Sequence, residues 1–331
     1  MTRAAILSGL GSYLPEQIVT NAILAEELDT SDAWIVSRTG VQTRHVVGKG
    51  FTTGDLAVEA AARALSSAGV THVDAVVLAT TTSDFSCPAT APLVAARLGM
   101  TGTVAFDVSA ACSGFVYGLA VVSALITAGI VESALLIGAD TFTQTLDPHD
   151  RTTRALFGDG AGAIVLRAGD LTEDGALLAF DLGSDGNQTD LLMTPAISRA
   201  ERERGQASNY FQMNGKAVFN QAVIHMTESV QRLLGSVGWL VADVDHLVPH
   251  QANTRILAAV ADQLDVAFSR VVTNIANVGN TVAASIPLAL DHAAQQRVLQ
   301  AGDHIVITGF GAGLTWGSVA LRWPNITVPS N

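Results

Sequence analysis

Two passages of the chain repeat one another at a fixed distance, and a repeated helix–strand unit has to fold as two copies of one layered architecture. A helical run ending in Leu65-Ser66-Ser67-Ala68-Gly69-Val70 leads into the strand-like Val73-Asp74-Ala75-Val76-Val77-Leu78. Later, Leu234-Gly235-Ser236-Val237-Gly238 leads into Val244-Asp245-His246-Leu247-Val248. Leu135-Leu136-Ile137-Gly138 is answered by Val306-Ile307-Thr308-Gly309, so Val73 and Val244, like Leu135 and Val306, stand about 171 positions apart. Hydrophobic strands resemble one another by chance, but here order and spacing agree across helix, strand, helix and strand. The pattern predicts a duplicated α/β unit. Its boundary falls near residues 170 to 180, where Ala168-Gly169-Asp170 and Glu173-Asp174-Gly175 supply turn chemistry. The N-terminal half is then 1–175 and the C-terminal half 176–331.

Such a fold needs a large interior, and 49% hydrophobic residues against 15% charged ones supply it. A formal charge of −12 speaks against nucleic acid as a partner, because phosphate binding needs a basic face. The two cysteines, Cys87 and Cys112, have no metal-ligand spacing and are no disulfide framework. A reducing cytoplasm is the simplest compartment. Met1 to Pro15 reads as strand and turn, with Gly9, Gly11 and Pro15 as turn residues, and shows no targeting signal. Phe115 to Val131 is the most apolar stretch, but Tyr117, Gly118, Ser123, Thr127 and Gly129 interrupt it. It reads as a helix buried on all sides rather than a membrane span. Ser198 to Ser208, with alternating Arg and Glu, reads as a solvated loop or short helix.

Ser109-Ala110-Ala111-Cys112-Ser113-Gly114 follows the strand-like Val104 to Val108 and opens the apolar helix. A cysteine at a helix start meets unpaired N–H groups and the positive dipole end, which favour thiolate, although a lone cysteine in an apolar segment is as often plain core. His250 ends the strand-like Val244 to Pro249 just before a helix, where α/β sheets carry their sites. Asn280, in Asn277-Val278-Gly279-Asn280-Thr281, precedes a small-residue helix and either caps it or aims its amide into a cleft. Gly158-Asp159-Gly160-Ala161-Gly162 runs into a strand, so it reads as a tight turn rather than a phosphate cradle. Gly309-Phe310-Gly311-Ala312-Gly313 closes a strand, where a backbone N–H can face a developing oxyanion.

Taken together, Cys112, the His250-Gln251-Ala252-Asn253 string, Gly279-Asn280-Thr281 and Gly309 to Ser318 resemble the β-ketoacyl-acyl carrier protein synthase III family of the thiolase fold. The resemblance runs nearly end to end, through Thr30-Ser31-Asp32-Ala33-Trp34-Ile35-Val36-Ser37-Arg38-Thr39-Gly40, Leu146-Asp147-Pro148 and Phe157-Gly158-Asp159-Gly160. It implies an α/β thiolase-like fold, a duplicated α-β-α-β-α unit in five layers, usually as a homodimer. It implies Cys112, His250 and Asn280 as the catalytic trio, with the N–H groups of Cys112 and Ala312 as oxyanion hole. Thr30, Trp34 and Arg151 become coenzyme A contacts, the last two sandwiching adenine. Arg38, Lys216, Asn253 and Arg255 mark the approach of the pantetheine arm and the carrier protein. Acyl-CoA is a substrate, with no tightly bound cofactor and no metal.

The implied chemistry has two half-reactions: acyl transfer to Cys112, then decarboxylative condensation with malonyl-acyl carrier protein, initiating fatty acid or polyketide synthesis. His250 is then needed with its substrate-facing nitrogen protonated, a tautomer that sequence does not fix. The chain departs from the family pattern in three places. Cys87 stands where many relatives carry a phenylalanine that closes the acyl pocket across the dimer, which either admits a longer or branched primer or is neutral drift. Asn220, Asp262 and Gln263 occupy places where relatives often carry carrier-binding lysines, and Ala312 replaces a glycine. Two other readings stand beside condensation: an acyltransferase that passes the acyl group to a hydroxyl, amine or carrier thiol, and a non-catalytic partner subunit.

Overall fold

Two sheets carry the fold of this computed structural model, which describes residues 2–195 and 209–327. The Ser198 to Ser208 passage lies outside the described residues. The first sheet has the strand order Arg3–Tyr13, Gly160–Asp170, Ser133–Asp140, Ala75–Ala79, Val104–Val108. The second runs Leu177–Ser184, Thr315–Arg322, His304–Gly311, His246–Pro249. In both, the first two pairings are antiparallel and the next is parallel. The fifth place of the second sheet is taken by a single parallel bridge, Leu247 to Val271. Equivalent strands start at Ser133 and His304, and at Ala75 and His246, which is the spacing of the sequence repeat.

Three layers of helix enclose the two sheets. Thr53–Ala68 packs Leu56, Ala57, Ala60 and Ala64 on the outer face of the first sheet, against Val76, Leu78, Leu135 and Ile137. Its ends are fixed by a Thr52/Asp55 capping box and by Gly69 in the left-handed region (φ 67°). The middle layer is the helix pair Gly114–Thr127 and Ser285–Gln295. Phe115, Leu119, Val122, Ile286 and Leu290 pack there between Val77, Leu136 and Ile164 of one sheet and Ile305, Ile307 and Val319 of the other. Gly215–Val237 and Thr254–Gln263 cover the far face of the second sheet with Met226, Val230, Leu233 and Val260. Both sheets are thus buried on both faces, which is why their central strands read as unbroken apolar runs.

The Phe115 to Val131 stretch forms most of one middle-layer helix, and among the described residues no helix is long and apolar enough to cross a membrane. One expectation changes. Gly9 and Gly11 are not turn residues but lie inside the strand Arg3–Tyr13, where a Cβ on either would collide with the Ala64 backbone of the overlying helix. Their role is close helix–sheet approach, which local sequence does not distinguish from turn chemistry.

Candidate active site

The chain leaves the edge strand at Val108, turns through Ala111–Ser113 as a single 3₁₀ turn, and enters Gly114–Thr127. Ala111 sits at φ 47°, a conformation that L residues adopt at a cost and that sharp nucleophile-bearing turns exploit. The turn is braced from the other half of the molecule. Ser113 Oγ lies 2.8 Å from both the Ala110 carbonyl and Thr315 Oγ1, and Thr315 Oγ1 lies 2.9 Å from the Ala312 carbonyl. Gly311, at the end of its strand, runs so close that a Cβ there would lie 2.7 Å from the Cys112 nitrogen. The Cys112 N–H, in the first turn of a helix, therefore faces the end of the strand that delivers Ala312.

Burial pushes the Cys112 thiol well above the ordinary thiol value, and the Asp140 carboxylate adds to the rise, against a smaller lowering effect from the Cys112 N–H. The helix start favours thiolate, and enclosure acts in the opposite direction, toward the thiol. Cys112 nevertheless keeps part of its surface open to the cavity.

His250 follows the strand His246–Pro249 and is 2% exposed. Burial holds its pKa at about 3, so the imidazole is neutral. Its Nδ1 pairs with Ser285 Oγ at 2.5 Å, which leaves Nε2 for the cavity. A hydroxyl partner both donates and accepts, so it matches Nδ1 whether or not that nitrogen carries a proton. A carboxylate in that place would hold one tautomer only. Ser285→Ala is expected to slow condensation by about tenfold to a hundredfold, with Ser285→Thr restoring part of it, read as steady-state turnover of both half-reactions.

Asn280 is 4% exposed, and its Oδ1 accepts the Val282 N–H at 3.0 Å. That bond settles the amide orientation: the NH2 end is the one turned toward Ala252 O, 3.5 Å away, and the cavity. Asn280 is held in place by its own turn, and what it offers a substrate is a donor.

Cys112, His250, Asn280 and Ala312 line one cavity of about 840 Å³ together with Trp34, Arg38, Lys216, Asn253 and Arg255. Thr30, Arg151 and Cys87 are not among its lining residues. Arg151 stands beside the cavity with its guanidinium 5.0 Å from the Trp34 ring centre, so the two side chains touch each other and a ring inserted between them needs about 7 Å. Asn253 caps Thr254–Gln263 through its Oδ1 and donates to the Arg38 carbonyl at 3.0 Å, so both ends of its amide are engaged. Cys87 lies on an exposed loop. Ser285, Thr315 and Asp140 are residues that sequence reasoning missed. Ser285 alone left a trace, as the first residue of the helix that follows Gly279-Asn280-Thr281.

Comparison with known proteins gives this geometry a family. Residues 106–186 match the family model described as 3-oxoacyl-[acyl-carrier-protein] synthase III, and residues 234–323 match the model of its C-terminal part. A Pseudomonas aeruginosa β-ketoacyl-[acyl-carrier-protein] synthase III is 71% identical over 326 residues, 98% of each chain. The chain belongs to the β-ketoacyl-acyl carrier protein synthase III family. A Streptomyces coelicolor synthase III is 56% identical, covering 99% of both chains. The crystal structure of a Pseudomonas aeruginosa synthase III superposes with a TM-score of 0.94 at 68% identity, covering 98% of this chain and 99% of that one. The priming β-ketosynthase of a polyketide biosynthetic pathway follows at 0.92 and 33%, covering 99% and 98%. The thiolase-like duplicated fold and the ketosynthase activity of this synthase III thus rest on full-length likeness. Among the described residues no His, Cys, Asp and Glu cluster could hold a metal.

Proposed function

We propose that this synthase loads an acyl group from acyl-CoA onto Cys112 and condenses it with malonyl-acyl carrier protein, starting a fatty acid or polyketide chain. The observation that supports it most is the convergence of Cys112, His250 and Asn280 on one cavity, with the Asn280 donor turned inward. In the first half-reaction His250 Nε2 takes the thiol proton as sulfur attacks the thioester carbonyl, and hands it to the departing coenzyme A thiolate. The N–H groups of Cys112 and Ala312 hold the tetrahedral oxyanion. The hydroxyl of Ser285 accepts from Nδ1–H during this step.

In the second half-reaction the roles at Nδ1 reverse. Ser285 donates, Nε2 carries the proton, and it joins the Asn280 amide in donating to the malonyl thioester oxygen. Breaking the bond to carbon dioxide leaves its electron pair on the enolate so stabilised. The enolate carbon attacks the acyl-Cys112 carbonyl, and collapse of that adduct expels the cysteine thiolate, which takes up the one proton that the condensation consumes from solvent. A neutral histidine and a neutral amide suit this step, because they stabilise developing charge without binding a free carboxylate tightly.

Around this centre, Trp34 with Thr30 and Arg151 receives the nucleotide of coenzyme A, the Trp34–Arg151 contact opening to take adenine. Arg38, Lys216, Asn253 and Arg255 line the approach of pantetheine and carrier protein, a local basic patch on an acidic chain. The two halves divide at 175/176, and the compartment is the cytoplasm. A homodimer forms through the edge strand Val104–Val108. Asp107 of that strand accepts from Thr90 N and Ala91 N at 2.8 Å, which fixes the loop bearing Phe85 and Cys87 beside the edge. There Cys87 faces the partner's acyl pocket.

Product analysis with an acyl-CoA and malonyl-acyl carrier protein is the test. A β-ketoacyl carrier product with one carbon dioxide per turnover is expected; acyl esters, amides or simple acyl-carrier thioesters without carbon dioxide would overturn condensation.

A further inference from the structure

The spacing that relates the two halves pairs Cys112 with Ala283, each the middle residue of a 3₁₀ turn that opens a middle-layer helix. The residues before them, Ala111 and Val282, share the same unusual backbone, at φ 47° and 52°. The same spacing pairs Asp140, the last residue of Ser133–Asp140, with Gly311, the last residue of His304–Gly311. In the reactive half, Gly311 leaves the Cys112 N–H uncovered, since a Cβ would stand 2.7 Å from that nitrogen. In the other half the equivalent N–H, that of Ala283, is already occupied. It donates to Asp140 Oδ2 at 3.0 Å. The second half therefore fills with the Asp140 carboxyl group the place where the first leaves room for a transient oxyanion.

We propose that Asp140 is a positioning residue of the condensation: its carboxyl group anchors the turn Val282–Ala284, and through it Asn280. The inference rests on the roles assigned above to Cys112 and Asn280. Asp140 is wholly buried and held by five donors. Its Oδ1 accepts from Thr80 Oγ1, Thr81 N, Thr81 Oγ1 and Thr82 Oγ1 at 2.8 to 3.2 Å, and Oδ2 takes Ala283 N. Val282, next in the chain, donates to Asn280 Oδ1. A shift of Ala283 thus moves the amide that faces the malonyl thioester. The same carboxylate adds to the rise of the Cys112 thiol. Burial raises the pKa of Asp140 itself, against the hydrogen bonds it accepts from Thr81, Ala283 and Thr82.

Asp140→Asn separates this from a merely structural role. An amide that keeps its oxygen on the Thr81 N–H must present its NH2 to the Ala283 N–H, so the anchor is broken. Decarboxylation of the malonyl thioester is expected to fall about a hundredfold while the acyl-Cys112 adduct still forms. Acylation and decarboxylation falling together overturns the proposal. Absence of any adduct in the unsubstituted enzyme would instead overturn the proposed function itself. Should the variant fail to fold, amide hydrogen exchange in the unsubstituted enzyme decides: the Ala283 N–H should exchange as slowly as the sheet core, and fast exchange contradicts the anchor.

Discussion

Asn280→Ala should leave acylation of Cys112 by acyl-CoA near its native rate and slow carbon dioxide release from the malonyl thioester by about 100- to 1000-fold. The asymmetry follows from where the donor acts. In the proposed mechanism the acylation oxyanion is met by the backbone N–H groups of Cys112 and Ala312, without Asn280. In the proposed decarboxylation the charge grows on the malonyl thioester oxygen, to which His250 and Asn280 are assigned as the side-chain donors. Removing Asn280 leaves one donor of two and also frees the Val282 N–H that its Oδ1 accepts at 3.0 Å. The structural cost of that lost bond is about 1 kcal/mol, too small to unfold the chain. The check is paired single-turnover kinetics: adduct formation by mass spectrometry and carbon dioxide release from labelled malonyl thioester. Equal loss in both steps would remove Asn280 from its assigned place.

Gly311→Ala should be as damaging to the first half-reaction as Asn280→Ala is to the second. The new Cβ would stand 2.7 Å from Cys112 N, 3.0 Å from Ser113 N and 3.2 Å from Cys112 Cβ. Two of those three neighbours are backbone atoms of a turn already held by the Ser113 and Thr315 hydroxyls, so relief comes only by displacing the nucleophile or the Ala312 strand end. Acylation is expected to fall about 100- to 1000-fold, with about 1–3 kcal/mol of lost stability from overpacking. Gly235→Ala is the control. It adds a methyl group where nothing stands within 4 Å, in the interior of Gly215–Val237, and should stabilise by about 0.5–1 kcal/mol without touching turnover.

The layered fold was legible because hydrophobic strands and their spacing survive in one dimension: the repeat of Val73 at Val244 and Leu135 at Val306 is the repeat of two sheets. The convergence of Cys112, His250 and Asn280 on one cavity was legible by family likeness, because each stands at a strand end or a helix start. What sequence could not carry was electrostatics across the fold. The helix start at Cys112 argues for a thiolate, while burial and Asp140, brought to it by a strand two places away in the sheet, act the other way. Ser285 follows the same logic, since its pairing with His250 exists only once a strand end meets a helix of the middle layer. Gly9 and Gly11 show the reverse failure. Glycine spacing looks like turn chemistry until the overlying helix is in place.

The most direct measurement isolates the acyl-enzyme and chases it. The synthase is loaded with an acyl-CoA, freed of excess donor, and mixed with malonyl-acyl carrier protein while the intact mass and carbon dioxide are followed together. The account predicts that the adduct maps to Cys112 and disappears in step with one carbon dioxide and one β-ketoacyl product. An adduct that persists while carbon dioxide is released, or one that is lost to acceptors with no carbon dioxide formed, would contradict Cys112 as the acyl carrier between two half-reactions.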